Sequence, residues 1–492
     1  MDNEYPLTPI QLGMLFNSVR FPHSGVEIEQ IIMHLDEPVE LEKFKLAWFQ
    51  LTQNHDVLRS CFEWADINSP TQTVKSQVDV EYNIHDWAER LPESINNEFE
   101  LFLKKDRLID IDLSVAPLFR VNVFKKKNDE IICLWTFHHA ILDGRSFAPL
   151  LNELFEIYHS LVNDINLVST NPTPFKHFAQ WMDQSKNNDA EKYWRELLSG
   201  INSPTSLSNI LAPDEKQSTS AVLSEELKLS SALTNDLTQL ADANNISTNV
   251  LIQAAWALLL HRYSGEDDIV YGNTRACRHA SVPGSQDIIG VLINTVPVRV
   301  KVDLNKKLMP WLAEIREQHL SVREFEHTPL TRIQKWSELP AQTPLFESLV
   351  VYEGYTLNDR LRKQGGDWLN REFQYRGQTS FPLALIVYAG SELLLRLEYN
   401  GQRFSGAAIK NILLQLRAIL LSMVEQPDCK VGEISYVDSN EKTHLLERYA
   451  LTNNEPNITQ CIHQRFEKIV AQYPDSTALI FEDQKMTYLE LN

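Results

Sequence analysis

Residues 131 to 146 read Ile131-Ile132-Cys133-Leu134-Trp135-Thr136-Phe137-His138-His139-Ala140-Ile141-Leu142-Asp143-Gly144-Arg145-Ser146. The β-branched, aromatic and aliphatic run from 131 to 137 predicts a buried strand. Beyond the loop, Phe147, Leu150, Leu151, Leu154, Phe155 and Tyr158 follow helical spacing, with Ser146 as the expected N-cap. The paired histidines therefore fall between a strand and a helix.

The alternation continues on both sides. Upstream, Thr8-Pro9-Ile10-Gln11 predicts a helix start with Thr8 as N-cap, Pro9 at the first helical position and Gln11 reaching back as in a capping box. Leu41, Phe44, Trp48 and Leu51 mark a second helix ahead of His55-Asp56-Val57-Leu58-Arg59. Downstream, the pattern predicts a helix over about 248 to 263, strands near 268 to 274, 293 to 302 and 346 to 352, and a hairpin turning at Ala389-Gly390-Ser391. A helix over about 405 to 424 follows, striped by Ile409, Ile412, Leu413, Leu416, Ile419, Leu420 and Met423. Such stripes are core and need no cofactor. The fold class expected is α/β, with a boundary near 170 inside a polar stretch carrying Asn171-Pro172-Thr173-Pro174.

Composition sets further limits. The 492 residues are 43% hydrophobic and 23% charged, enough for two or three cores. The net charge of -20 offers no basic face for nucleic acid or an anionic membrane. Five dispersed cysteines, Cys61, Cys133, Cys277, Cys429 and Cys461, lack CxxC spacing and argue against a disulfide framework or a zinc site. The N-terminal residues have no basic region followed by an apolar run, and no continuous stretch of about 18 apolar residues occurs. A reducing cytoplasm is the expected location.

Two adjacent imidazoles, an Asp four residues beyond the second and a Gly behind it suit acyl transfer without a covalent enzyme intermediate. An imidazole takes a proton from an attacking amine near neutral pH. Asp143 either orients the imidazole or anchors the loop through an arginine, and Gly144 lets backbone approach the reacting centre. Spacing alone does not choose between the two roles of the carboxylate. His138 is as readily a packed, hydrogen-bonded core residue as a catalyst.

His138-His139-Ala140-Ile141-Leu142-Asp143-Gly144 resembles the HHxxxDG signature of nonribosomal peptide synthetase condensation domains, relatives of chloramphenicol acetyltransferase. PLTPIQLGMLF at 6 to 16, HDVLRSCF at 55 to 62, IIGVLINTVPVRV at 288 to 300, LFESLVVYEGY at 345 to 355 and Phe381-Pro382-Leu383 resemble further family segments in the same order. Residues 461 to 492 resemble the opening of an adenylation domain, with its first core motif around Met486 to Leu491. Two departures stand out. Asn54 replaces an arginine in the second motif, and Arg145 stands where many relatives carry an apolar residue.

The resemblance implies two acetyltransferase-like lobes in a V with a central tunnel, at 1 to 170 and 171 to 437, a linker at 438 to 457, and the start of an adenylation domain at 458 to 492. It implies His139, His138 and Gly144 as catalytic, with Asp143 a structural aspartate paired with Arg59. The implied reaction forms an amide between a donor acyl thioester and a carrier-bound acceptor amine, with His139 as general base or positioning group. The donor is carrier-bound or an acyl-coenzyme A. The 4'-phosphopantetheine arm arrives on donor and acceptor peptidyl carrier proteins, because Gly365-Gly366 is followed by Asp367 and Trp368 rather than by an attachment serine. No group is expected to be bound covalently to this chain, and the remaining partners are a downstream adenylation domain and the acyl and aminoacyl substrates. Only about five residues precede the first motif, which suggests a domain that begins its polypeptide.

Asn294, Thr295 and Arg299 are as readily local backbone partners as substrate contacts. Arg145-Ser146-Phe147 does not resemble the continuation found in epimerisation domains, and heterocyclisation domains carry aspartates in place of the histidines. The rival readings are a free-standing acyltransferase, which would not need the adenylation-like tail, and a module that only binds carrier proteins, which would not need the intact HHxxxDG.

Overall fold

A computed structural model describes residues 4–64, 70–166, 172–184, 188–207, 222–278, 282–340, 342–437, 442–443, 446–448, 461–482 and 484–492. The boundary near 170 and most of the 438 to 457 linker lie outside the described residues. By internal contacts the chain divides into one unit over Met1–Tyr436 and a second over Val437–Asn492.

The first unit is built on two large mixed sheets, beside a three-stranded antiparallel sheet of Glu4–Pro6, Thr71–Val74 and Ser60–Glu63. One has the strand order Arg371–Arg376, Ile28–Leu35, Ile131–His138, Phe119–Lys125 and Glu81–Asp86. The other runs Asn294–Lys301, Asp268–Arg275, Ser348–Glu353, Leu383–Tyr388, Leu394–Asn400 and Val222–Lys228. Leu41–Asn54 and Gly144–Val162 cover a face of the first sheet, and their buried positions, Phe44, Trp48, Leu51, Leu150, Leu151, Leu154 and Phe155, fill one core with Ile31, Met33, Cys133 and Trp135. Thr248–Ser264 and Gly406–Glu425 supply the other core. Gly406–Glu425 is long and apolar enough to cross a membrane by length and composition, but its expected stripe from Ile409 to Met423 is buried in that core.

One expectation changes. The helix after the histidines begins at Gly144, not beyond Ser146, because Asp143 is the N-cap and its Oδ1 accepts from the Arg145 amide at 3.2 Å. A strand also crosses the expected boundary near 170. Arg371–Arg376 lies in the second half of the sequence yet pairs along its whole length with Ile28–Leu35 of the first. An otherwise open edge there acquires its ladder hydrogen bonds from a distant strand.

The second unit contains a helix, Ile462–Gln472, and an antiparallel hairpin of Thr477–Phe481 with Gln484–Thr487. Thr487 and Glu490 form a capping box at the short helix Tyr488–Leu491.

Candidate active site

His139 follows the strand Ile131–His138 directly, at the start of a short 3-10 turn over His139–Ile141. Its amide donates to the Glu27 carbonyl at 2.7 Å, and its Nδ1 lies 2.8 Å from the Leu142 carbonyl. A carbonyl only accepts, so Nδ1 carries the proton, and in the neutral ring Nε2 keeps its lone pair. The ring is half-buried rather than exposed as a loop position suggests. Burial disfavours its charged form, but Glu29 and Glu27, the Leu142 carbonyl and Asp143 outweigh that and raise its pKa above the usual imidazole value.

His138 has no free ring nitrogen. Nδ1 accepts from the Ala140 amide at 3.1 Å, so Nε2 carries the hydrogen and donates to Ser18 Oγ at 2.8 Å. Burial, with His139 beside it, lowers its pKa to about 3 and keeps the ring neutral. Both ring nitrogens of His138 are therefore engaged within the fold. The loop is also held from the N-terminal helix Pro9–Arg20, where Gln11 Nε2 donates to the Ala140 carbonyl at 3.0 Å and Gln11 Oε1 accepts from the Thr8 amide at 2.9 Å.

Asp143 is fully buried and paired with Arg278, not with Arg59. The guanidinium grips both carboxylate oxygens at 2.8 Å, and the Leu292 amide donates to Oδ2 at 2.9 Å. With its oxygens held by these donors and by Ser146 Oγ at 3.2 Å, Asp143 has no acceptor site left for a substrate proton. Arg59 instead ends the 3-10 turn Asp56–Arg59, where it pairs with Asp56 three residues back at 2.7 Å and donates to the Thr52 and Lys75 carbonyls. Spacing gave no access to Arg278, which lies 135 residues from Asp143 in sequence. The one local signal is an arginine just past a strand end.

Gly290 locks the same joint. Its carbonyl accepts from the Asp143 amide at 3.3 Å and from Ser146 Oγ at 3.0 Å, and its own amide lies 3.0 Å from that hydroxyl. Its φ of +155° suits glycine, and a Cβ there would collide with the Phe175 ring. Gly144 is the first residue of its helix, and a Cβ there would meet the Glu353 carboxylate at an ordinary 3.5 Å. Asn294 and Arg299 are spent on local partners: Asn294 donates to the Glu326 and Thr328 carbonyls, and Arg299 pairs with Asp268. Arg145 is exposed, and Asn54 donates to Glu153 at 2.7 Å. Gly365 and Gly366 both have positive φ, at the N-cap and first residue of the 3-10 turn Gly366–Asn370. A hollow of about 460 Å³ lined by Phe155, His159, Trp368 and Arg371 includes no residue of the histidine loop.

The family model for condensation domains matches residues 1–446, and the chain belongs to that family. It is 32% identical over 493 residues to a linear gramicidin synthase of Brevibacillus parabrevis, covering 100% of this chain and 6% of that protein. Among solved structures, a four-domain nonribosomal peptide synthetase bound to AMP and glycine matches with a TM-score of 0.75 at 18% identity, over 99% of this chain and 38% of that one. The starter condensation domain of rhizomide synthetase, in complex with C8-CoA and Leu-SNAC, matches with a TM-score of 0.73 at 16% identity, over 89% of this chain and 98% of that one. The chain spans a small fraction of the synthetases it resembles.

Proposed function

We propose that this chain forms an amide between a donor acyl thioester and the amine of an acceptor aminoacyl group. The observation that carries this is His139, whose tautomer is set by Leu142 and whose Nε2 remains free beside two buried carboxylates. The acceptor nitrogen attacks the donor carbonyl carbon, the new C–N bond forms as the C–S bond breaks, and the thiol leaves with a proton. His139 Nε2 receives the amine proton or holds the amine while it attacks. Arg278 and Asp143 fix the loop from behind, and Gly144 leaves the floor clear.

Both arms come in on substrate. The donor is a carrier-bound thioester or an acyl-coenzyme A, and the acceptor rides on a peptidyl carrier protein. Two acetyltransferase-like lobes in a V, a tunnel reaching His139, an adenylation domain opening at 461 to 492 and work in the cytoplasm complete this reading. The adenylation-like segment supports it over a free-standing acyltransferase.

The test is His139→Ala, assayed with loaded donor and acceptor carriers by intact-protein mass spectrometry. Amide formation should fall by about 10²–10⁴-fold. The melting temperature should move little, since the ring makes one hydrogen bond in the fold. A folded variant that condenses at the parent rate overturns the role of His139.

A further inference from the structure

The turn between the helix Pro9–Arg20 and the strand Ile28–Leu35 enters the strand through Glu27, at a φ of +61°. Left-handed backbone suits glycine, and a long side chain held there costs about 1 kcal/mol or more. Glu27 is also 7% exposed, so its carboxyl is taken out of water. A fold that keeps a strained backbone and a buried carboxyl at one residue has a use for it.

Both ends of Glu27 reach the surroundings of His139. Its carbonyl accepts from the His139 amide at 2.7 Å, which pins the backbone of the reacting residue. Its Oε1 accepts from Asn17 Nδ2 at 2.9 Å, so the carboxyl is tied to the last turn of the N-terminal helix. Ser18 of that helix accepts from His138 Nε2 at 2.8 Å, and Gln11 donates to the Ala140 carbonyl at 3.0 Å. One helix thus grips the histidine loop through three side chains, Asn17 acting by way of Glu27. Gly25 sets the turn against its neighbour: its φ is +72°, and a Cβ there would overlap the Arg107 side chain.

The charges follow the same geometry. Burial pushes the Glu27 carboxyl up, and the strongest pull against it comes from the His139 imidazolium, followed by the Asn17 hydrogen bond. In return, Glu27 stands next to Glu29 among the groups that raise His139 against its burial. Each side chain stabilises the charged form of the other. The effect acts through space, since the hydrogen on His139 Nδ1 is taken by the Leu142 carbonyl.

We propose that Glu27, held by Asn17, is a positioning residue for the reaction: its carbonyl fixes His139 in the loop, and its carboxylate offsets the positive charge that forms on the ring when Nε2 takes the amine proton. This rests on the amide-forming reading above. The proton passes from the acceptor nitrogen to Nε2 as the C–N bond forms, and on to the departing sulfur as the C–S bond breaks. The charge on the ring is transient, and Glu27 itself exchanges no proton.

The experiment compares the full chain with Glu27→Gln, Glu27→Gly and Asn17→Ala. The first arm titrates isotope-labelled histidine by NMR, with His139→Asn giving the assignment. His139 faces Glu29, Glu27, Asp143 and His138, and Glu27 faces His139, Glu29 and the Asn17 amide. Glu27→Gln removes one facing negative charge and should lower the His139 pKa. Asn17→Ala removes a hydrogen bond that favours the Glu27 carboxylate, so the His139 pKa should fall by less. Glu27→Gly keeps the carbonyl and suits the backbone, so its melting temperature should stay near that of the parent while the His139 pKa falls as in Glu27→Gln. A residue that only filled space would do the reverse, with lower melting temperatures and an unmoved titration.

The second arm uses octanoyl-coenzyme A as donor and scans the proteinogenic aminoacyl N-acetylcysteamine thioesters as acceptors. For an acceptor the parent turns over, Glu27→Gln should lower kcat about tenfold or more, change the acceptor KM by less than about threefold, and move the acid limb of the rate profile to lower pH. The acceptor amine titrates alike in every variant, so a moved limb reports the enzyme. An unmoved His139 titration in Glu27→Gln, or a loss confined to the acceptor KM, overturns the proposal. Absence of condensation by the parent across all acceptors counts against the amide reading, and the titration then decides on Glu27 alone.

Discussion

Asp143 and Arg278 are the groups on which the histidine loop turns. At 0% and 2% side-chain exposure the pair is isolated from water, so removing one partner leaves an uncompensated buried charge. Asp143→Ala and Arg278→Ala should each destabilise by about 3–5 kcal/mol. In a double-mutant cycle the two should be strongly non-additive, whereas Asp143→Ala with Arg59→Ala should add to within about 0.5 kcal/mol. Urea denaturation of the single and double variants measures this, and coupling of Asp143 to Arg59 would restore the pairing expected from sequence.

Among elements, the joint between the loop at 143 to 146 and the segment at 288 to 292 depends on a missing side chain. Gly290→Ala sets a Cβ against the Phe175 ring in a backbone region L-residues rarely adopt, and should cost about 1–3 kcal/mol. Phe175→Ala in the same chain should return part of that loss, because it removes the collision but not the backbone strain. Thermal melts of the two singles and the double decide it, and a double variant that loses the full sum of both would show that the ring is not the obstacle.

Elements of this kind differ in how openly a sequence displays them. The strand Ile131–His138 and the helix Gly144–Val162 were legible because burial leaves a local period in the residues. The N-terminal capping box was legible for the same local reason. Its second use, the reach of Gln11 to Ala140, was not, since 129 residues intervene. Arg278 follows Cys277, which sits at a φ of +50°, a turn that no period announces. At the site, sequence singled out His139 and Asp143 from a dense motif, but it could not separate the engaged ring of His138 from the free one, because that depends on Ser18 and the Ala140 amide.

At the scale of the whole molecule, buried titrating groups set the response to acid. His138 is lowered to about 3, and His319 and His327 to about 4, each by burial first. An unfolded histidine titrates near 6.5, so from about pH 6.5 down to 4 the unfolded chain takes up protons the folded chain refuses, and stability falls with pH. Glu398, raised to about 7, acts in the opposite sense between about pH 7 and 4.5, where the folded chain binds the extra proton. His34, also lowered, adds to this loss, while the raised His139, Glu27, Glu266 and Glu353 act with Glu398 against it. His319→Gln, which keeps a donor for Gln253 Oε1, should make the fall of melting temperature between pH 6.5 and 4.5 shallower. An identical slope in that variant would remove His319 from the account.

The strand Arg371–Arg376 also governs how such domains can be recombined. A chimera spliced near 170, joining one half to a foreign second half, inherits a foreign edge strand for its own first sheet. If that strand does not match Ile28–Leu35 in length and register, six residues of ladder are left without partners, and the exposed edge becomes a template for aggregation. Grafts that carry 357 to 376 along with the first half should therefore yield more soluble protein than grafts cut at 170 alone, since the inherited unit is then a sheet rather than a stretch of sequence.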